Sequence, residues 1–158
     1  MKRLQLVLLL TVIAFASPAL AQDRPADNNM QILAEKVRAD KKLVVAVNME
    51  LSEAEGKVFW PIYDAYQKEL QALNDRTGKT ILAYADAYNK KALTDDLAKR
   101  LTNEALAIDQ DELTLRKTYA AKLNSVLPAI KTARYIQIEN KIRAALRYEL
   151  AAGIPLVP

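Results

Sequence analysis

The feature that most restricts the fold is a long run of side chains at alternating intervals of three and four residues. The run comprises Tyr63, Tyr66, Leu70, Leu73, Thr77, Thr80 and Tyr84. This spacing places every member on one face of an α-helix, whereas a strand would require alternation at every second residue. Just before the run, Ser52 and Glu55 have the spacing of a capping box. We therefore predict a long amphipathic helix from about residue 52, which Pro61 bends without ending it.

A second stripe with helical spacing follows a short interruption at residues 89–92. It comprises Leu97, Leu101, Ala105, Ile108, Leu115, Tyr119 and Val126. Thr94 is the predicted N-cap, and Asp95 and Asp96 suit the positive end of the helix dipole. Because a short turn joins two long helices, residues 52–126 are predicted to form an antiparallel hairpin with a coiled-coil-like seam.

One helical pattern precedes the hairpin in the sequence, and another follows it. An N-terminal helix is predicted from about Met30, although Val44–Val47 also fits a short extended run. Pro128 suits the first turn of a last helix at about 128–152, which Gly153 and Pro155 would end. The predicted fold is therefore all-α, a long antiparallel helical hairpin with additional N- and C-terminal helices in a single domain, 30–158.

The first 21 residues have the pattern of a secretory signal peptide. Lys2 and Arg3 precede an apolar stretch at residues 4–15, and Ala19-Leu20-Ala21 predicts cleavage before Gln22. Residues 22–29 are polar and are predicted to be a mobile arm. Cleavage leaves a net charge of +2 from the +4 of the whole chain, which removes the electrostatic reason to expect nucleic-acid binding. We predict a periplasmic protein that does not associate with the membrane after cleavage.

Composition excludes several kinds of active site. The chain has no Cys, no His and only three Gly, so thiolate or imidazole chemistry and glycine-rich phosphate loops are not expected. A cluster of three carboxylates could supply ligands for a metal ion: Asp109, Asp111 and Glu112. The favoured interpretation is a solvated helix face, with Glu112 paired to a Lys or Arg across the hairpin. Five aromatic residues suggest either a ligand-stacking box or, as we favour, core: Trp60, Tyr63, Tyr66, Tyr84 and Tyr88. No catalytic, cofactor or metal site is predicted.

The last helix is the predicted interaction surface. Residues 22–115 carry a net charge of −4 and residues 116–158 a net charge of +6. An apolar stripe on this helix has basic residues on both borders. The stripe consists of Tyr135, Ile138, Ile142 and Leu146. Arg134 and Lys141 flank it on one side, and Arg143 and Arg147 flank it on the other. Three interpretations remain open: a core face bordered by long basic side chains, a surface for unfolded or acidic polypeptide, or an interfacial membrane helix.

The helix starts of this chain resemble those of a known group of exported proteins. Leu51-Ser52-Glu53-Ala54-Glu55 and Leu93-Thr94-Asp95-Asp96-Leu97 resemble the motif of the LTxxQ periplasmic proteins, the Spy/CpxP-like group, with Glu55 and Leu97 at the place of its Gln. Residues 49–157 more closely resemble uncharacterised exported helical bacterial proteins. The resemblance implies a thin curved helical dimer, associated with envelope stress, that acts as an ATP-independent chaperone; metal sensing does not carry over, because it uses His.

Two hypotheses about function follow. The leading one is a non-enzymatic periplasmic binding protein or chaperone whose partners are unfolded clients. The alternative is a structural or adaptor protein that docks one folded envelope protein. A homodimer would fit either hypothesis, because so thin a hairpin buries little apolar surface by itself.

Overall fold

A computed structural model describes residues 40–158, and this part of the chain is all-α. The helices are α1 at residues 40–49, α2 at Glu53–Asn89, α3 at Asp95–Asn124 and α4 at Ala129–Gly153. The predicted all-α fold, with a hairpin of two long helices, is confirmed. The predicted signal peptide (1–21), mobile arm (22–29) and beginning of the N-terminal helix lie outside the described residues.

The predicted helix starts agree with the structure. Ser52 accepts from the backbone N–H of Glu55, whose side chain accepts from the backbone N–H of Ser52, so the capping box is complete. The Thr94 side chain caps α3 by accepting from the N–H of Leu97. Helix α2 continues through Pro61, as predicted. Residues 44–47 are helical, so the extended alternative for that segment is wrong.

The core lies where α1, the first half of α2, the second half of α3 and the first half of α4 meet. Its members are mostly large and aromatic: Val45, Met49, Phe59, Tyr63, Tyr66, Leu115, Tyr119, Leu123, Leu127 and Tyr135. The rest of the hairpin is thinly packed. Between residues 67 and 107, all of which the structure describes, only Ala87 is buried. Helix α3 packs against both α2 and α4.

From residue 40 to residue 158, no helix is both long enough and apolar enough to cross a bilayer.

Candidate interaction surface on the last helix

The predicted contact stripe begins inside the core. Tyr135 is only 1% exposed, and its ring packs edge-on against Phe59 at 5.2 Å between centroids. Its ring centroid also lies 6.1 Å from that of Tyr63 and 6.2 Å from that of Tyr66. Burial, together with the nearby carboxylate of Glu139, raises the pKa of the Tyr135 phenol well above its ordinary value. The prediction that Tyr135 lies on an accessible contact surface is therefore wrong, because its face of α4 packs against α2.

The basic borders of the stripe are largely occupied by ion pairs within the chain. Arg134 pairs with Glu50 at 2.8 Å, and Arg143 pairs with Glu112 at 3.3 Å. Arg147 contacts Glu112 at 3.0 Å and also pairs with Asp109. Lys141 is exposed and makes no ion pair with any residue from 40 to 158. Among residues 40–158, Lys141 is thus the only predicted basic contact residue without an acidic partner.

Glu112 is the centre of the contact between α3 and α4. Its side chain is 11% exposed, and Arg143 and Arg147 approach its two oxygens from successive turns of α4. Desolvation alone would lower the pKa of Arg147, but the hydrogen bonds to Asp109 and Glu112 outweigh it and raise that pKa. The predicted partner of Glu112 lay across the hairpin, on α2. The partners lie instead on α4.

The other members of the acidic cluster also take part in ion pairs. Asp111 accepts from Arg76 at 2.6 Å, and Arg76 reaches Glu104 at 2.9 Å, so this arginine ties α2 to α3. Hydrogen bonds from the guanidinium to these two carboxylates raise the pKa of Arg76. Among residues 40–158, no group of three acidic side chains is arranged to hold a metal ion. The cluster serves the contacts between helices.

A second buried carboxylate, Glu139, is not among the predicted site residues. It is 5% exposed and pairs with Lys41 of α1 at 2.8 Å. Gln67 of α2 donates to Glu139 at 3.0 Å and to the Tyr135 hydroxyl at 3.3 Å, while Lys41 donates to the Gln67 side-chain oxygen at 2.9 Å. The sequence carried one signal for this site: Glu139 stands four residues after Tyr135, on the apolar row of α4.

The turn between α1 and α2 is also held by basic residues of α4. Lys131 donates from Nζ to the backbone carbonyls of Glu50 at 2.5 Å and Met49 at 3.4 Å, and it lies 3.8 Å from Glu55. Glu50 has a φ of +49°, in the left-handed region where non-glycine residues are uncommon. Together with the ion pair between Arg134 and Glu50, these contacts hold the C-terminal end of α1 against the N-terminal half of α4.

The accessible apolar surface of α4 lies toward its end. Ile138 and Ile142 are half-buried, whereas Leu146 is 54% exposed. We call residues 146–158 the C-terminal apolar segment, because it carries five of the large exposed hydrophobic side chains. These are Leu146, Tyr148, Leu150, Leu156 and Val157. Of the predicted apolar contact residues, Leu146 alone is clearly exposed.

The aromatic residues divide between the core and the distal part of the hairpin. Tyr63 and Tyr66 are core residues, and Trp60 packs beside them with its ring centroid 5.3 Å from that of Tyr63. Tyr84 donates from its hydroxyl to the backbone carbonyl of Pro155 at 2.9 Å, which connects the C-terminal apolar segment to α2. Tyr84 and Tyr88 pack against each other at 5.8 Å, with Tyr88 partly exposed. Tyr63 and Tyr66 are therefore core residues, as favoured from the sequence, whereas Tyr84 connects the C-terminal apolar segment to α2 through its hydroxyl.

Comparison with known proteins adds no assignment. No family model, no curated protein and no solved structure matches the chain.

Proposed function

We propose that this chain is a non-enzymatic periplasmic protein that binds unfolded polypeptide, in the manner of ATP-independent chaperones such as the Spy/CpxP-like group it resembles. The contact surface is the C-terminal apolar segment, residues 146–158. Export rests on the signal-peptide pattern of residues 1–21 and the Ala19-Leu20-Ala21 cleavage motif.

The exposure of this segment is the observation that carries the proposal. Leu156 is 90% exposed and Tyr148 is 73% exposed, although burial of large apolar side chains is the main driving force of folding. Leu146 and Leu150 lie four residues apart on one face of α4, and contiguous exposed apolar side chains mark sites of interaction with other chains. Residues 154–158 make one side-chain hydrogen bond to the rest of residues 40–158, the one from Tyr84 to the Pro155 carbonyl, so this end of the segment has room to adapt to varied clients.

The experiment is suppression of aggregation by the chain without its predicted signal peptide. We expect slower light-scattering growth of a chemically denatured client, without ATP, at equimolar protein. The variant Leu146→Ser with Leu150→Ser should lose most of this effect. Ile130→Ser is the matched control, because Ile130 lies on the same helix and is 78% exposed but is outside the segment. No suppression with several clients, or an equal loss in the control, would contradict the proposal.

Charge reversal of Arg143 and Arg147 is a poor test of client binding. Both arginines neutralise the buried Glu112, so Glu at these positions would bring three carboxylates together and disturb the fold itself. Lys141→Glu is the cleaner charge variant, since Lys141 is exposed. If acidic client segments contribute to binding, this variant should weaken the suppression.

A second candidate, an adaptor that docks one folded envelope protein, is favoured by a different observation. Part of the contact stripe predicted on α4 is buried in the core, and three of its four flanking basic side chains form ion pairs within the chain. The surface that stays accessible is therefore small. A small surface suits one partner better than many clients. The adaptor would show no suppression of aggregation, and one purified envelope protein would form a stoichiometric complex with the chain that Leu146→Ser with Leu150→Ser disrupts.

A further inference from the structure

Helix α1 occupies a groove formed by α2 and α4. On the side that faces the groove, Val45 and Met49 are both 0% exposed. They belong to the same buried cluster as three aromatic residues of α2 and α4, namely Phe59, Tyr63 and Tyr135. The two apolar residues are four positions apart, one above the other on one face of a helix. The groove therefore recognises a helix through two apolar side chains at positions i and i+4.

A buried acidic group at one end of the groove adds a charge requirement. Glu139 forms an ion pair with Lys41, with 2.8 Å between Oε2 and Nζ, and the two side chains are 6% and 15% exposed respectively. Lys41 stands four residues before Val45, on the same face of α1. A carboxylate so far from water needs a cationic partner, because a buried unpaired charge is strongly destabilising. Any helix in this groove must therefore supply a cation at position i−4.

Helix α1 is held along one face: Lys41 pairs with Glu139, and Lys42 pairs with Asp64 at 2.8 Å and lies over the ring of Trp60. Its opposite face carries Leu43, Val44 and Val47, which are 62%, 44% and 69% exposed. The turn to α2 spans only residues 50–52, and Glu50 holds a left-handed conformation there that release of α1 would relieve. Lys131 and Arg134 of α4 stabilise this turn through Glu50.

We propose that the groove between α2 and α4 is an exchangeable helix-binding site, of which α1 is the resident occupant. The competing ligand is an amphipathic helix of another polypeptide, with apolar residues at i and i+4 and a Lys or Arg at i−4. Docking of a helix by two or three apolar anchors is a recurring mode of peptide recognition. The inference does not depend on the proposed function, because it uses other residues than the C-terminal apolar segment.

The test is a binding titration on the chain without its predicted signal peptide. The probe is a fluorescently labelled synthetic peptide with the sequence of residues 40–50, followed by fluorescence anisotropy. In the Val45→Asp protein, α1 cannot sit in the groove, so the peptide should bind about ten-fold or more tightly than to the unmodified protein. Val47→Asp is the matched control: it adds the same charge to the exposed face of α1 and should leave affinity unchanged.

Two further arms keep the test decisive. Lys41→Glu retains every core side chain while repelling Glu139, and it should strengthen peptide binding about three-fold or more. A peptide with Val45→Ser and Met49→Ser should not bind any of the proteins. The proposal is overturned if both variants keep their helical circular dichroism yet bind no better than Val47→Asp, or if the serine peptide binds equally well. It is also overturned if both variants unfold, since α1 would then be an indispensable part of the fold.

Discussion

Removal of both arginines that face Glu112 should destabilise the fold more than the two single removals predict. Glu112 is 11% exposed and has Arg143 at 3.3 Å and Arg147 at 3.0 Å. Taking away every partner of a buried charge costs about 3–5 kcal/mol. Arg143 and Arg147 are 31% and 51% exposed, so water can enter when they are truncated. We therefore expect about 3 kcal/mol for Arg143→Ala with Arg147→Ala, the lower end of that range.

Each single substitution should cost less than half of this amount. With one arginine removed, the other still faces the carboxylate, so each single variant should lose about 1 kcal/mol of unfolding free energy. The difference between the double variant and the sum of the singles is then about 1 kcal/mol, well above the scatter of additive sites. Urea unfolding followed by circular dichroism measures all of these values, provided that the denaturant slopes agree.

The control removes the buried charge itself. Glu112→Met in the double-alanine background should recover about 2 kcal/mol, since no carboxylate then remains to be neutralised. For comparison, Lys57→Met breaks the exposed pair with Glu53 and keeps that first-turn acid in place; the two side chains are 74% and 86% exposed, so stability should change by less than about 0.5 kcal/mol. Two results would show that Glu112 is not a buried charge shared by both arginines. One is a loss of unfolding free energy in the double variant that equals the sum of the two single losses. The other is no recovery of unfolding free energy when Glu112→Met is added to the double variant.

Three further predictions concern local features of the fold. Gly78→Ala should raise stability by about 1 kcal/mol in thermal unfolding, because Gly78 is inside α2 and a Cβ there meets nothing within 4 Å. Ser52→Ala removes the capping box and should lower stability by about 1 kcal/mol in the same assay. Burial, then the hydrogen bond to Glu69, raise the pKa of Tyr119 to about 12. Its neutral phenol therefore stabilises the fold below about pH 10, and this contribution is lost as the pH rises toward 12; Glu69→Gln should lower the Tyr119 pKa in a phenolate absorbance titration.

The parts of the fold that depend on neighbours in the sequence could be predicted. The Ser52 capping box involves residues within three positions of one another, and so does the Thr94 cap. The long stripes of α2 and α3 likewise follow from a periodicity that needs no knowledge of tertiary contacts. These features decide where helices begin and which face is apolar.

The prediction that Tyr135 belongs to a contact surface on α4 was wrong, because its outcome depended on long-range partners. A helical wheel shows that Tyr135 shares a face with Ile138, but it cannot show that this face meets Phe59 of α2. The separation of charge between residues 22–115 and 116–158 suggested an acidic client. In the structure, four of the eight basic residues in the second segment pair with acids of the first: Lys131, Arg134, Arg143 and Arg147. The two segments are complementary to each other.

The uneven distribution of buried side chains implies that the two ends of the hairpin will lose structure at different free energies. Opening of a segment requires less free energy where few apolar contacts must break. Residues 67–107 bury only Ala87, so their backbone amides should exchange hydrogen well before those of the aromatic end. Trp60, the only tryptophan, lies at that aromatic end, and its fluorescence will stay native while the distal end opens. Because the chain has no Cys, one engineered cysteine near residue 90 would carry a label that makes the distal opening visible.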